Sequence, residues 1–304
     1  MRFDFVTIFP RMFDPLLAEG IIARGIKQGL LDVRVWDLRD FTTDRHRSTD
    51  DEAYGGGPGM VMLAEPVLRC VEKIRAEGRE ARAEGQEARA EGRGSRVEGQ
   101  EARAEGRGSR VEGRASGTDG QGARGEGQWS RTEGQGARVE ASAPLIVMTS
   151  PQGRVFDQKV AGELAAGGWV VFLCGRYEGF DHRVYEALQP EELSIGDFVV
   201  SGGELPAMVV ADAVGRLIEG VVGNAGSVEA DSFFNGLLDY PHYTRPEELR
   251  GMRVPDILLS GHHENIRKWR KEQSLRATLA KRPDLLEHAD LDHEAREMLA
   301  KIKF

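Results

Sequence analysis

Four apolar runs, Phe3–Phe9, Val33–Leu38, Leu145–Thr149 and Trp169–Leu173, are separated by stretches in which apolar residues recur at helical spacing. Short apolar runs bounded by turn residues read as strands, and apolar residues three or four apart read as helix. Met12–Ala18 is one helical stretch. Phe156, Val160 and Leu164 mark another, which Gly167 and Gly168 close before the next strand. Beyond Glu204, the residues Leu205, Met208, Val209, Asp212, Ala213, Arg216 and Leu217 follow a helical pattern, with Pro206 in the first turn, where its missing donor does no harm. Strand alternating with helix constrains the chain to an α/β fold built on a mostly parallel sheet.

A composition shift interrupts this pattern between Arg75 and Ala141. The heptapeptides RAEGREA, RAEGQEA, RAEGRGS and RVEGQEA open a repeat that degrades toward its end. A seven-residue period suggests a coiled coil, but that needs two apolar positions per unit, and here the recurrent non-polar residues are Ala and a scattered Val. A glycine in almost every unit also costs about 1 kcal/mol of helix stability each time. With 13 Arg against 13 Asp and Glu from Arg75 to Glu140, the segment has no net charge to attract a polyanion. So little apolar surface cannot offset ordering entropy, so 75–141 is expected to be a disordered low-complexity insertion in a surface loop, the alternative being a weak interaction tether. Within it, GQGARG at Gly120–Gly125 fits the dinucleotide fingerprint letter for letter, yet no apolar strand precedes it and no helix pattern follows.

The 304 residues, 40% of them hydrophobic, suffice for two domains. A net charge of −9 excludes a generally basic nucleic-acid coat, so any polyanion must be met by a local patch. Cys70 and Cys174 are too few and too far apart in sequence for a disulfide framework or a cysteine zinc site, and read as buried, reduced thiols. The start MRFDFVTIFP lacks a basic region followed by a long apolar run, and no stretch approaches the roughly 18 apolar residues of a membrane helix. A cytoplasmic protein with no membrane partner is expected.

Three glycine-rich segments each follow an apolar run: TSPQG at Thr149–Gly153, CGRYEGFDHR at Cys174–Arg183 and SIGDFVVSGGELPA at Ser194–Ala207. Loops at the carboxyl edge of a parallel sheet are where such sheets bind ligands, and glycines let the backbone approach a ligand closely. Singly, each segment is also an ordinary tight turn. In this order, and with RDFTTDRHRSTDDEAYGGGPGMVM at Arg39–Met62, DSFFNGLLDYPHYTRPEELRG at Asp231–Gly251 and VPDILLSGHHENIRKWRKEQSL at Val254–Leu275, they resemble the bacterial tRNA (guanine-N1)-methyltransferase family, the knotted methyltransferases. The resemblance spans nearly the whole chain except the insertion.

This resemblance implies a C-terminal trefoil knot within the N-terminal domain, although the general rule that chains do not thread loops argues against one. It implies S-adenosylmethionine as cofactor, held by Pro151, Gly175, Tyr177, Glu178, Gly179, Ile195, Gly196, Asp197, Phe198, Val199 and Val200, with Gly202, Gly203 and Pro206 shaping the wall. Glu178 is a candidate for holding the methionine amino group or a magnesium ion, or else a solvated loop charge. The expected organisation is a knotted methyltransferase domain at 1–221, a flexible linker at 222–232 and a small helical, basic tRNA-binding domain at 233–304.

Methyl transfer to N1 of guanine needs a carboxylate within hydrogen-bond reach to take the N1 proton. It also needs an arginine or a metal ion to hold the charge that spreads to O6. The resemblance assigns these roles to Asp231 and Arg216. Composition alone also reads Asp231 as a helix N-cap before SFFNGLL, and Arg216 as the partner of Glu219 or Asp212.

Between Ser260 and Arg282, seven Lys or Arg face two Glu, a local charge of +5 suited to phosphates, with Trp269 at its centre either stacking on a base or packing into a core. The resemblance implies RNA contacts at Arg39, Arg45, His46, Asp50, Tyr54, Ser232, Asp239, His242, Arg245, Arg267, Lys268, Trp269 and Arg270. His262-His263-Glu264 lacks the spacing of a zinc site, and no structural metal site is expected. The implied partners are a tRNA with guanosine at position 37, and no DNA. A second copy of the chain is also implied, the homodimer completing the site with Asp231 from one subunit and the cofactor loops from the other. The alternative is a catalytically silent RNA-binding protein that keeps the fold.

Overall fold

Trp169–Leu173 is apolar at every position, and such a run sits in a sheet covered on both faces. The computed structural model describes residues 1–83, 143–223 and 231–302. Its strands are β1 (Arg2–Thr7), β2 (Asp32–Asp37), β3 (Asp50–Glu52), β4 (Met60–Met62), β5 (Leu145–Val155), β6 (Trp169–Leu173), β7 (Glu191–Ser194), β8 (Glu248–Leu249) and β9 (Met252–Arg253). Five of them form one sheet in the order β2-β1-β6-β5-β7, every pairing parallel. The helices are α1 (Asp14–Ala18), α2 (Gly20–Lys27), α3 (64–83), α4 (Gln158–Gly167), α5 (His182–Leu188), α6 (Glu204–Gly215), α7 (Asp256–Leu259), α8 (His263–Lys281) and α9 (His293–Ile302).

Alternation along the strands divides the interior in two. Phe3, Phe5 and Phe172 face α2, α4 and α6, with the Phe5 and Phe172 rings stacked at 5.1 Å. Val6, Val171 and Leu173 face α3 and α5 on the other side. β6 is buried throughout. The expected stop at Gly167-Gly168 is present: Gly168, at φ 74°, ends α4, whose first turn is capped by Asp157 accepting from the Val160 amide at 2.8 Å. Asp4, fully buried, accepts from the indoles of Trp36 at 2.8 Å and Trp169 at 2.7 Å and from Arg2 at 2.7 Å. Both cysteines are free and buried, and burial holds the two thiols well above their ordinary range.

Three expectations are corrected. The insertion was expected to begin at Arg75, but α3 continues through residue 83, so 75–83 are helical. Burial explains this: Ile74 is fully buried, Glu77 accepts from Arg34 at 2.9 Å, and a Cβ on Gly78 would lie 2.0 Å from the Trp169 ring. The glycine of the first repeat unit is therefore the place where helix backbone meets an indole. Residues 84–141 of the expected insertion, GQGARG with them, lie outside the described residues, as do 224–230 of the expected linker.

Thr149–Gly153 is not a loop that ends a strand. β5 continues to Val155, and Thr149 and Arg154 both pair with Leu193, so 150–153 bulge out between two registers. Gly153 makes this geometry workable, since a Cβ there would lie 2.4 to 2.5 Å from the Glu192–Leu193 peptide. Finally, the chain is not helical from Phe233. Turns occupy 231–237, with Phe233 at φ 74° and Gly236 at φ 73°, and a two-residue hairpin follows before α7 begins at Asp256.

Candidate active site

The carboxyl ends of β5, β6 and β7 bring the three glycine-rich segments together. Gly203 N–H donates to the Gly175 carbonyl at 2.8 Å, and Arg176 bridges Gly202, joining the segment after β6 to the one after β7. The β5 bulge closes the third side. Between them lies a cleft of about 300 Å³. Of the residues assigned to the cofactor, Pro151, Gly175, Tyr177, Glu178, Gly179, Ile195, Gly196, Phe198, Val199, Val200, Gly202, Gly203 and Pro206 line it; Asp197 is exposed and does not. The lining mixes apolar side chains with backbone donors and acceptors, the surface a flat heteroaromatic ring and its polar edge require.

β4 fastens a second loop to this cleft. Glu178 N–H donates to Met60 O at 3.1 Å, Met62 N–H to Gly179 O at 2.9 Å and Asp181 N–H to Met62 O at 2.9 Å. A Cβ on Gly59 would meet the Glu178 carboxylate at 2.4 Å, so the glycine-rich turn sits directly against it. Tyr54, at the tip of that turn, is fully exposed. Arg45 and His46 are exposed nearby and Asp50 is half-buried. Arg39 is turned back, donating to Ile8 O and lying 5.9 Å from the Phe9 ring. Among the described residues, no group of three or more His, Cys, Asp or Glu could hold a metal ion.

Sequence reasoning missed a buried polar cluster beside the cleft, of which Arg176 and Thr149 line it and Glu204 does not. Glu204, fully buried, accepts from Thr7 Oγ1 at 2.7 Å and from Arg176 Nε at 2.9 Å, and Thr149 Oγ1 donates to Gly203 O at 3.2 Å. Arg176 and Glu204 stood within motifs chosen for their glycines, and no local pattern distinguishes a buried pair 28 residues apart from two surface charges.

Arg216 and Asp231 are brought together: the Arg216 guanidinium donates to the Asp231 carboxylate, both half-exposed. Neither Glu219 nor Asp212 takes Arg216's side chain, and Asp231 caps no helix among the described residues. The pair borders a separate cleft of about 660 Å³ with Ser232, Phe233 and Asp239 on one side and Met208, Val209 and Asp212 of α6 on the other. This cleft shares no lining residue with the first.

His242, Arg245, Trp269 and Arg270 line a third cleft, with Tyr240 and Tyr243, of about 580 Å³. Trp269 is half-buried there, and Arg270 lies over the Tyr240 ring at 5.0 Å. The charge of +5 read from Ser260–Arg282 is reduced in three dimensions. Arg267 pairs with Glu264 and Glu294, Lys268 with Glu264, Lys271 with Asp292 and Glu294, Arg276 with Glu272, and Arg282 with Asp284. Asp284, Asp292 and Glu294 lie beyond the window in which the charge was counted, and only the return of the chain on α9 brings the last two onto α8.

Comparison with known proteins points to one family. The family model described as tRNA (Guanine-1)-methyltransferase TrmD matches residues 1–94 and 133–288. A protein of Geobacter metallireducens named tRNA (guanine-N(1)-)-methyltransferase is 41% identical over 303 residues, covering 100% of this chain and 98% of its own. One of the same name from Geobacter sulfurreducens is 40% identical with the same coverage. Another from Burkholderia mallei is 43% identical over 289 residues, covering 95% of this chain and 88% of its own. The gap in the family match, 95–132, falls inside the heptapeptide repeat.

Proposed function

This chain belongs to the tRNA (guanine-1)-methyltransferase family, and from that premise we propose that it transfers a methyl group to N1 of the guanosine at position 37 of tRNA, with Asp231 as general base. The observation that carries the reading is the cleft into which all three glycine-rich segments converge at the carboxyl edge of the sheet.

The cleft fits S-adenosylmethionine. Gly202 and Gly203 lie where a Cβ would collide with Arg176 and with the Cys174–Gly175 backbone, so the walls approach as closely as backbone allows. Ile195, Val200 and Pro206 offer apolar surface to the adenosine, and Glu178 offers a carboxylate to the methionine amino group. When bound, this cofactor supplies an electrophilic methyl on a sulfonium. Asp231 takes the N1 proton of guanine, and Arg216 holds the charge that develops on O6. Magnesium takes one or two carboxylates together with water and phosphate oxygens, and Glu178 is the carboxylate of the cleft that would hold it. The carboxyl-side segments form the knot of this reading, 1–221 is its methyltransferase domain, 222–232 its linker and 233–304 its tRNA-binding domain.

The acceptor site is completed by a second copy. Pro206 lines the cofactor cleft and Arg216 lies ten residues further along the same helix, about 15 Å away at 1.5 Å per residue, beyond the reach of an aspartate paired to it. Phe198, Val199, Leu205 and Val209 are exposed apolar residues on the cofactor segment and on α6, the kind of surface a subunit interface covers. The aromatic and basic cleft around Trp269 is where unpaired tRNA bases would stack.

The test is methylation of tRNA transcripts carrying guanosine or adenosine at position 37, with the wild-type chain and with Asp231→Asn. Transfer to guanosine alone, lost in the variant while tRNA still binds, is expected. Equal labelling of both transcripts refutes the specificity, and tRNA binding without any transfer supports the silent RNA-binding alternative.

A further inference from the structure

Glu204 is the fully buried acid in the first turn of α6, and it has two partners from distant parts of the chain. Thr7, at the end of β1, donates its hydroxyl to one carboxylate oxygen at 2.7 Å, and Arg176 donates Nε to the other at 2.9 Å. Each partner is itself anchored. The Thr7 hydroxyl accepts from the Phe9 N–H at 2.8 Å. Arg176 donates to Ser201 O at 3.1 Å, places Nη2 3.0 Å from the Met12 sulfur, and packs its guanidinium 4.6 Å over the Phe9 ring. Its side chain is only 15% exposed.

These contacts fix the two halves of the cofactor cleft against each other. Arg176 lies between Gly175 and Tyr177 of one wall, and its guanidinium reaches Ser201 of the other. Gly202 is so close that a Cβ there would lie 2.1 Å from Arg176 Nε. A buried ion pair is costly to desolvate, and an apolar pair of similar size often stabilises a fold as well or better. Stability alone therefore gives no reason for a charge at this position; spacing of the walls does.

We propose that Glu204 is a positioning residue: acting through Arg176, it sets the separation of the Gly175–Gly179 and Ser201–Gly203 backbones and thereby the affinity for S-adenosylmethionine. This rests on the function proposed above. Glu204 does not touch the reacting atoms, so its removal weakens cofactor binding and leaves the rate of transfer at saturation nearly intact.

The experiment uses the full chain and three variants: Glu204→Gln, Arg176→Met, and the charge-matched double variant Glu204→Leu with Arg176→Met. Binding of S-adenosylhomocysteine is measured by calorimetry, kcat and KM for each substrate by methyl transfer, and stability by thermal unfolding. Glu204→Gln keeps the shape and one acceptor but loses the charge. It is expected to raise the cofactor KM and the S-adenosylhomocysteine Kd about tenfold, the equivalent of one charge-assisted hydrogen bond, with kcat and the tRNA KM within about twofold. The double variant is expected to unfold above Arg176→Met, which leaves the Glu204 charge buried without its partner, and below wild type, because the buried Thr7 hydroxyl loses its acceptor, and to recover no affinity. A double variant that binds like wild type, or a Glu204→Gln change that lowers kcat as much as it raises the cofactor KM, overturns the proposal. A wild-type chain that binds no S-adenosylhomocysteine overturns the proposed function, and this inference with it.

Discussion

Gly203 separates space from backbone conformation cleanly. Its φ of −75° is one any residue adopts, so replacing it by alanine carries no conformational penalty, and the whole effect comes from the added methyl group. That methyl would lie 2.4 Å from Thr149 Oγ1, 2.9 Å from Cys174 Cα and 2.9 Å from Gly175 N. The threonine hydroxyl can rotate away; the two backbone atoms directly follow β6, where Cys174 N–H is bonded to Val6 O, and cannot. The first turn of α6 must therefore retreat, lengthening the 2.8 Å hydrogen bond from Gly203 N–H to Gly175 O. Overpacking at about 1–3 kcal/mol plus most of one hydrogen bond at about 1 kcal/mol gives an expected loss of about 2–4 kcal/mol for Gly203→Ala. Gly162→Ala is the control. It lies on the exposed face of α4 with nothing within 4 Å of the new Cβ, and should gain about 1 kcal/mol of helix propensity. Urea unfolding of both variants, with S-adenosylhomocysteine calorimetry, measures the contrast. Cofactor affinity should fall at least about tenfold in Gly203→Ala and stay unchanged in Gly162→Ala. A Gly203→Ala protein within about 0.5 kcal/mol of wild type would show that the walls can part freely and that the reasoning about their spacing is wrong.

Two further outcomes are expected. Asp181 accepts from the Arg183 side chain at 2.8 Å and its amide at 2.9 Å, and the side-chain bond first of all holds its carboxyl at about 2. A depressed carboxylate contributes stability that is fully present above its unfolded pKa, about 3.9, and is lost as pH falls through about 2. Carbon-detected titration should show Arg183→Gln moving the Asp181 midpoint up toward the ordinary value, and a wild-type midpoint already near 3.9 would refute the pairing. Deletion of 95–132, the stretch absent from the family match, should leave kcat/KM within about twofold in the tRNA methylation assay. The reason is topological. Glu77 and Gly78 of α3 lie beside Arg34 and Trp169, and β5 starts at Leu145, so the described chain on either side of the repeat meets the sheet at its amino edge, roughly 15 Å of strand away from the cleft. A large loss of activity would mean that the repeat reaches the site or the tRNA.

The local pattern determined what depends on near neighbours. Trp169–Leu173 is a strand because five consecutive apolar residues bounded by glycines suit a doubly covered sheet, and Asp157 and Gly168 bound α4 for reasons visible within a dozen residues. That the three glycine-rich segments meet at one cleft was also legible, since glycines after apolar runs mark the carboxyl edge; of the residues named there, Asp197 alone stands off the cleft. Tertiary structure decided what depends on residues far apart in the chain. It made Thr149–Gly153 a bulge rather than a turn by pairing both ends with Leu193, and it drew the first repeat unit into α3 because Gly78 could sit against Trp169. It cancelled much of the charge on α8 by bringing Asp292 and Glu294 back along α9, and it joined Arg216 to Asp231 across fifteen residues of chain. Glu204 shows the difference most directly. As a letter it is one more acid in an acidic protein, and only the packing of β1, the Arg176 segment and α6 removes it from water and leaves it two partners. Periodicity records which face of an element is apolar; whether a charge on that element is solvated or enclosed is set by what the rest of the chain places over it.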